Sequence, residues 1–138
     1  MAQRFAERTA VPVGQSQDSV KKLLKGAGSD QIAVYEAADK SAVAFRVDGR
    51  FYRITVPIVV GKAVAEQEER RAWRLLLLLL KAKLEAVREG ATTIEREFLA
   101  DMLMPDGSTV AEWTAQPLAL AYKEGAMPPQ LLLPGRSK

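Results

Sequence analysis

The sequence contains no cysteine and no histidine. The first absence removes disulfides, thiolate metal ligands and thiol nucleophiles, and it suits a reducing compartment. The second removes the commonest general base and the commonest metal ligand. Triads, zinc sites and facial triads built on imidazole are thereby excluded, and catalysis would be left to Asp, Glu, Lys, Ser, Thr or Tyr. The expectation is a chain that is not an enzyme, with no catalytic residues, no metal site and no cofactor. Its glycines match no phosphate-binding loop. Long apolar runs are missing as well. Leu75–Leu80 is a run of six leucines between Arg74 and Lys81, whereas a bilayer needs about 20 apolar residues. The opening MAQRFAER lacks the apolar stretch of a secretory signal. The sequence thus reads as a cytoplasmic protein with no membrane partner.

What is present suffices for a core. Of 138 residues, 48% are hydrophobic and 27% charged, which is ordinary for one folded domain. The net charge of +3 is unevenly placed. Residues 1–62 hold ten Lys/Arg against six Asp/Glu, and residues 63–138 hold ten against eleven. The basic bias therefore sits in the N-terminal half, where it is compatible with an anionic partner.

Periodicity supplies the elements. Residues 9–13, TAVPV, suggest a short edge strand, since Pro12 would be awkward in a central one. Ser16 then reads as the N-cap of a helix carrying Val20, Leu23, Leu24 and Ala27, with Gly26 and Gly28 as its stop. Three strand-like segments follow: Gln31–Ala37, Ser41–Val47 and Arg50–Ile58. Asp48-Gly49 between the last two is a strong signal for a two-residue hairpin turn. Pro57 and Gly61 close the sheet. A long helix is expected over 64–89, with one apolar stripe through Trp73, Leu76, Leu77, Leu80, Leu84 and Val87. A second stripe runs through Leu75, Leu78, Leu79, Ala82 and Ala86, so the helix should be buried on two sides. Thr92-x-x-Glu95 and Thr109-x-x-Glu112 are capping-box patterns that open two C-terminal helices. Pro117 should kink or split the second, and Gly125 should end it. Trp73 and Trp113 fall on apolar stripes and read as core. The expected fold class is α+β: an αβββα core with a three-stranded antiparallel meander, an optional N-terminal edge strand, one long helix on the sheet and two C-terminal helices. Residues 1–125 form the domain. Residues 126–138 form a proline-rich tail, anchored if at all through Leu131–Leu133.

The segment FRVDGRFYRITV, residues 45–56, bears most on function. A two-residue loop sets the register, so that Val47 faces Arg50, Arg46 faces Phe51 and Phe45 faces Tyr52. Side chains alternate. Val43, Phe45, Val47, Tyr52, Ile54 and Val56 then form the core face, with Arg50 at its rim. Ala44, Arg46, Phe51, Arg53 and Thr55 form the other. An aromatic ring among arginines on a sheet is the pattern of a nucleic-acid platform, the ring stacking on a base and the guanidinium groups holding phosphates. The opposing reading has Phe51 covered by the tail or the C-terminal helices, with the arginines at the edge. Lys21, Lys22 and Lys25 lie off the apolar stripe of the first helix and are candidate phosphate contacts; the opposing reading is a solvated helix face. Glu66, Glu68 and Glu69 precede Arg70, Arg71 and Arg74, and Glu66–Arg70 has the spacing of a helix-stabilising pair. Glu95, Glu97 and Asp101 diverge on a helix and do not form a metal site.

Two resemblances bear on this reading. The αβββα order is similar to the double-stranded RNA-binding fold, which sets basic helix residues on phosphates; the acid-rich stretch 63–69 stands where that fold has its basic cluster. The segments FAERTAVPVGQSQDSVKKLLKGAGS, VDGRFYRITVP, RAWRLLLLLLKAKLEAVREGATTIEREFLADMLMPDGSTVAEW and AYKEGAMPP resemble a family of small tailed-phage and prophage proteins. Arg50 and Arg53 match its arginine-rich strand, while Phe51 and Tyr52 replace a basic and an aliphatic residue. The resemblance implies a mobile-element protein acting inside a bacterial cell, encoded near replication and recombination genes, and supplies no catalytic residues.

Two functions remain open from the sequence. One is a phage accessory protein binding DNA or RNA through Arg46, Arg50, Phe51, Arg53, Lys21, Lys22 and Lys25. The other is a protein-binding module, an inhibitor or adaptor of a host enzyme or a part of a phage assembly. A homodimer through the 64–89 helix is compatible with either.

Overall fold

The computed structural model describes residues 10–58 and 65–128. Thr9, Gly61 and Leu131–Leu133, named above, lie outside the described residues.

The first helix, α1 (Val13–Gly26), begins three residues before Ser16. Pro12 is its N-cap, in extended conformation, and the Ser16 N–H reaches the Pro12 carbonyl at 3.2 Å. Two expectations are corrected here. Ala10–Pro12 form no strand and Val13 is helical, and Ser16 is a buried first-turn residue rather than the cap. The reason is Pro12 itself: it has no N–H to give to a sheet ladder, and its fixed φ suits the entry of a helix. The helix ends in a Schellman motif. Gly28, at φ 97°, lets its own N–H reach the Lys25 carbonyl and the Ser29 N–H the Leu24 carbonyl, both at 3.0 Å.

The sheet is the expected antiparallel meander, β1 (Gln31–Glu36), β2 (Lys40–Val47) and β3 (Arg50–Pro57), in spatial order β1-β2-β3. Asp48 and Gly49 both adopt positive φ, 51° and 78°, as a type I′ turn requires. The register follows from that turn: Val47 opposite Arg50, Arg46 opposite Phe51, Phe45 opposite Tyr52, Ala44 opposite Arg53.

Helix α2 (Ala65–Arg88) and α1 pack against each other and against one face of the sheet. Between the layers lies a single core: Val20 and Leu24 from α1, Val43, Phe45, Val47, Tyr52 and Ile54 from the sheet, and Trp73, Leu76, Leu77 and Leu80 from α2. Phe45 and Tyr52 stack at 5.3 Å between ring centroids, and Phe98 meets both edge-on at 5.5 and 6.0 Å. The acid-rich start of α2 contributes a buried ion pair that helical spacing does not single out. Arg71 Nε donates to Glu68 Oε1 at 3.1 Å, and Arg71 Nη2 to the Pro57 carbonyl at 2.9 Å, which fastens α2 to the end of β3. The expectation of burial on two sides is not met. Leu79 is 42% exposed and Ala82 is exposed, while Leu75, Leu78 and Ala86 are half-buried, so none of that stripe is fully buried.

The single turn α3 (Ile94–Glu97) is capped by Thr93, whose Oγ accepts from the Arg96 N–H, and not by Thr92. A 3₁₀ turn, Leu99–Asp101, follows. Met102 and Leu103 then lie along the free edge of β3, where the Leu103 N–H donates to the Phe51 carbonyl at 2.8 Å. Pairing an open strand edge in this way removes unsatisfied backbone groups. Helix α4 (Val110–Glu124) opens with the expected capping box of Thr109 and Glu112 and ends at Gly125. It runs unbroken through Pro117. The carbonyl of Trp113 loses only its helical donor there, and on an exposed helix water can replace it.

Candidate binding surfaces

Arg46 and Arg53 lie on the outer sheet face and Arg50 at the rim of the core face, and each already has a carboxylate. Arg46 forms a two-pronged pair with Asp30, Nε to Oδ1 at 2.9 Å and Nη2 to Oδ2 at 2.5 Å. Arg50 Nη1 meets Glu95 Oε2 at 3.2 Å. Arg53 meets Glu112 Oε1 and the Gly107 carbonyl, both at 3.3 Å. The hydrogen bond from Arg46 holds the Asp30 carboxyl below the usual aspartate range. Backbone donation from Thr109, aided by nearby Arg53, does the same for Glu112. Exposed pairs of this kind contribute little to stability. Their electrostatic effect is larger, since three guanidinium charges are matched by three carboxylates. Phe51 remains 40% exposed, with the Arg46 guanidinium 5.7 Å from its ring centre. The C-terminal segment therefore brings acids to Arg50 and Arg53, and the α1–β1 loop one to Arg46, without sealing the face.

The lysines do not form one patch. Lys21 and Lys25 border a depression of ≈ 310 Å³ with Ser29, Asp30 and Ile32, so Asp30 links them to Arg46. Lys22 points elsewhere, into the seam between α1 and α2. Helical geometry explains the division: positions 21 and 25 are about 40° apart around the axis and position 22 about 100° from 21. Lys21, Lys25 and Arg46 are brought together. Lys22 and Arg50 stand apart from them, and Arg53, opposite Ala44, lies one diagonal step from Arg46 on the outer face.

Glu95, Glu97 and Asp101 go three ways. Glu95 pairs with Arg50. Lys83 Nζ donates to the Glu97 carbonyl at 2.9 Å and lies 3.4 Å from Glu97 Oε1. Burial raises the Asp101 carboxyl above its usual range, against the pull of Lys83. Among the described residues no three His, Cys, Asp or Glu side chains lie close enough to hold a metal ion, and no helix is long and apolar enough to cross a membrane.

Three further features escape a linear reading. The outer face has a floor of small residues, Ala33, Ala42 and Ala44, walled by Tyr35 and Lys40 on one side and Arg53 and Thr55 on the other, enclosing ≈ 450 Å³. The register contains this signal, because Ala42 and Ala44 share a face with Arg46. The second feature is α4. Nine of its fifteen residues are Ala, Val, Leu, Trp or Tyr and only Glu112, Lys123 and Glu124 are charged, yet none is buried. Trp113, assigned to the core from its spacing, is 45% exposed, and Leu118 and Leu120 are each 44% exposed. That assignment is corrected: periodicity identified the apolar side, but none of the described residues buries it. The third is the α1–α2 seam, whose cations Arg74, Lys81 and Arg88 recur at seven-residue intervals. Comparison of the chain with protein-family models, with curated protein sequences and with solved structures gives no match.

Proposed function

We propose that this chain is a non-enzymatic protein-binding module and that a partner protein with an apolar groove takes up α4. The observation that carries the reading is the helix itself, apolar over most of its circumference and buried nowhere. A helix of that composition is normally covered. Burying one large apolar side chain is worth about 1.5–3 kcal/mol, so Trp113 and Leu120, seven residues apart on one side of the helix, form a substantial anchor, with Leu118 on the opposite side. The mode is a helix laid into a groove, read through residues three, four and seven apart. The likeness to small phage proteins suggests a host or phage protein as the partner and the bacterial cytoplasm as the place of action.

The test compares capture from bacterial lysate by the parent chain and by Leu118→Glu/Leu120→Glu. One stoichiometric partner lost in the variant is expected, together with shielding of Trp113 from an aqueous quencher in a Trp73→Phe background. Identical recovery by both chains, or a Trp113 that stays quenchable in the complex, would overturn the reading.

Nucleic-acid binding remains a second reading, favoured by one observation. Lys21 and Lys25 have no ion-pair partner among the described residues, and Phe51 is exposed nearby on the strand opposite Arg46. Binding of single- or double-stranded oligonucleotides at about 50 mM salt, falling steeply at about 200 mM, would support it.

A further inference from the structure

The seam between α1 and α2 is an open groove with an apolar floor and a cationic border. One depression of ≈ 520 Å³ and one of ≈ 450 Å³ adjoin along it and share Lys22, Leu23 and Lys81. Leu23, Leu77, Leu78, Leu84 and Val87 make the floor. Four cations border it, Lys22, Arg74, Lys81 and Arg88, against one acid, Glu85. Glu85 is taken by Arg88 at 2.5 Å. Lys22, Arg74 and Lys81 have no ion-pair partner among the described residues. The border therefore keeps a net charge of +3 beside a strip of leucine.

Spacing adds a second constraint. Arg74, Lys81 and Arg88 lie seven residues apart, so they form one nearly straight row along α2 with steps of about 10.5 Å and a length of about 21 Å. Another α-helix lying alongside α2 has the same rise. Acidic residues at seven-residue intervals on that helix would meet the row charge for charge, while its apolar stripe filled the floor.

We propose that the α1–α2 groove is a docking site for an acidic amphipathic helix of another protein. This is separate from the role given to α4 and does not depend on it. A second copy of the chain is a poor occupant. A two-fold dimer about this seam would set Arg74, Lys81 and Arg88 against the same row of its mate, like charge against like. A nucleic acid is also a poor occupant. Phosphates would satisfy the cations, but the floor offers no ring to stack on and no base-reading donor. Only an acidic partner with an apolar stripe satisfies border and floor together.

The experiment uses a fluorescein-labelled helical peptide of three heptads, with leucines on one stripe and glutamates seven residues apart, titrated by anisotropy against the full chain. Saturable binding is expected, with amide shifts at Leu23, Lys81 and Leu84. Arg74→Glu/Lys81→Glu should weaken it by at least about tenfold, and a peptide with lysines in place of those glutamates should bind that variant better than the parent. Both positions lie on the helix surface, and an unchanged circular dichroism melt keeps the comparison valid. Leu118→Glu/Leu120→Glu should bind the peptide like the parent, so failure here and failure of the α4 reading are distinguishable. Three outcomes would overturn the proposal: no saturable binding, equal binding by parent and charge-reversed chains, or displacement of the peptide by a duplex oligonucleotide.

Discussion

If the hairpin arginines are electrostatically silent because each is matched by a carboxylate, removing the carboxylates should expose them. The variant is Asp30→Asn/Glu112→Gln. It leaves Arg46 and Arg53 in place on the outer sheet face, on either side of the β2–β3 ladder and close to Phe51. The amide introduced at position 112 retains an oxygen to accept the Thr109 N–H that closes the capping box, so α4 should still form. Each freed guanidinium that meets a phosphate adds about −0.9 to the slope of log K against log salt for a duplex and about −0.7 for a single strand. Two contacts give a change of about −1.8 for a duplex, which corresponds to about twelvefold tighter binding at 50 mM salt than at 200 mM. The assay is fluorescence anisotropy with labelled oligonucleotides across that range, parent and variant side by side. Taking the difference of slopes cancels whatever Lys21 and Lys25 contribute. A difference below about one unit would refute the reasoning. The two arginines would then have been equally available before the change, or would be held too far apart to share a strand. Should the parent already show a steep slope that Arg46→Glu/Arg53→Glu abolishes, neutralisation by Asp30 and Glu112 would be ruled out directly.

Two other predictions follow from the same geometry. Phe98 is fully buried and meets both rings of the Phe45–Tyr52 stack, so Phe98→Ala should cost about 3–5 kcal/mol in denaturant unfolding. Phe51→Ala on the open face should cost less than about 1 kcal/mol, and equal costs would show that the sheet faces have been misassigned. Asp30 should titrate below the ordinary value of 3.8 in the folded protein, and Arg46→Ala should return it towards that value. The folded pKa is the lower one, so its contribution to stability is present above the unfolded value and is lost as pH falls through the folded value. Asp101, raised by burial, acts in the opposite sense, favouring the folded state as pH falls through its own raised value towards the unfolded one. An Asp30 resonance unmoved by Arg46→Ala would remove the pair from the account.

What the sequence by itself determined is whatever depends on neighbours a few residues apart. Asp48-Gly49 dictates a turn with two positive φ angles. That turn fixes which residues of β2 and β3 stand opposite, and alternation then sorts Phe45 and Tyr52 inward and Arg46, Phe51 and Arg53 outward. Thr109 and Glu112 start α4 through bonds confined to one helical turn. Tertiary structure decided which charges meet and which apolar stripes are covered. Arg46, Arg50 and Arg53 take partners 16, 45 and 59 positions away, and no local spacing reveals that a basic strand will be neutralised by a loop, a short helix and a capping residue. The stripe on α4 was legible, but whether it finds a surface depends on where the β3 edge, Met102 and Leu103 leave the helix. Periodicity states which side chains gain by leaving water. Only the path of the whole chain determines whether the protein supplies the other half of that contact or leaves it to a partner.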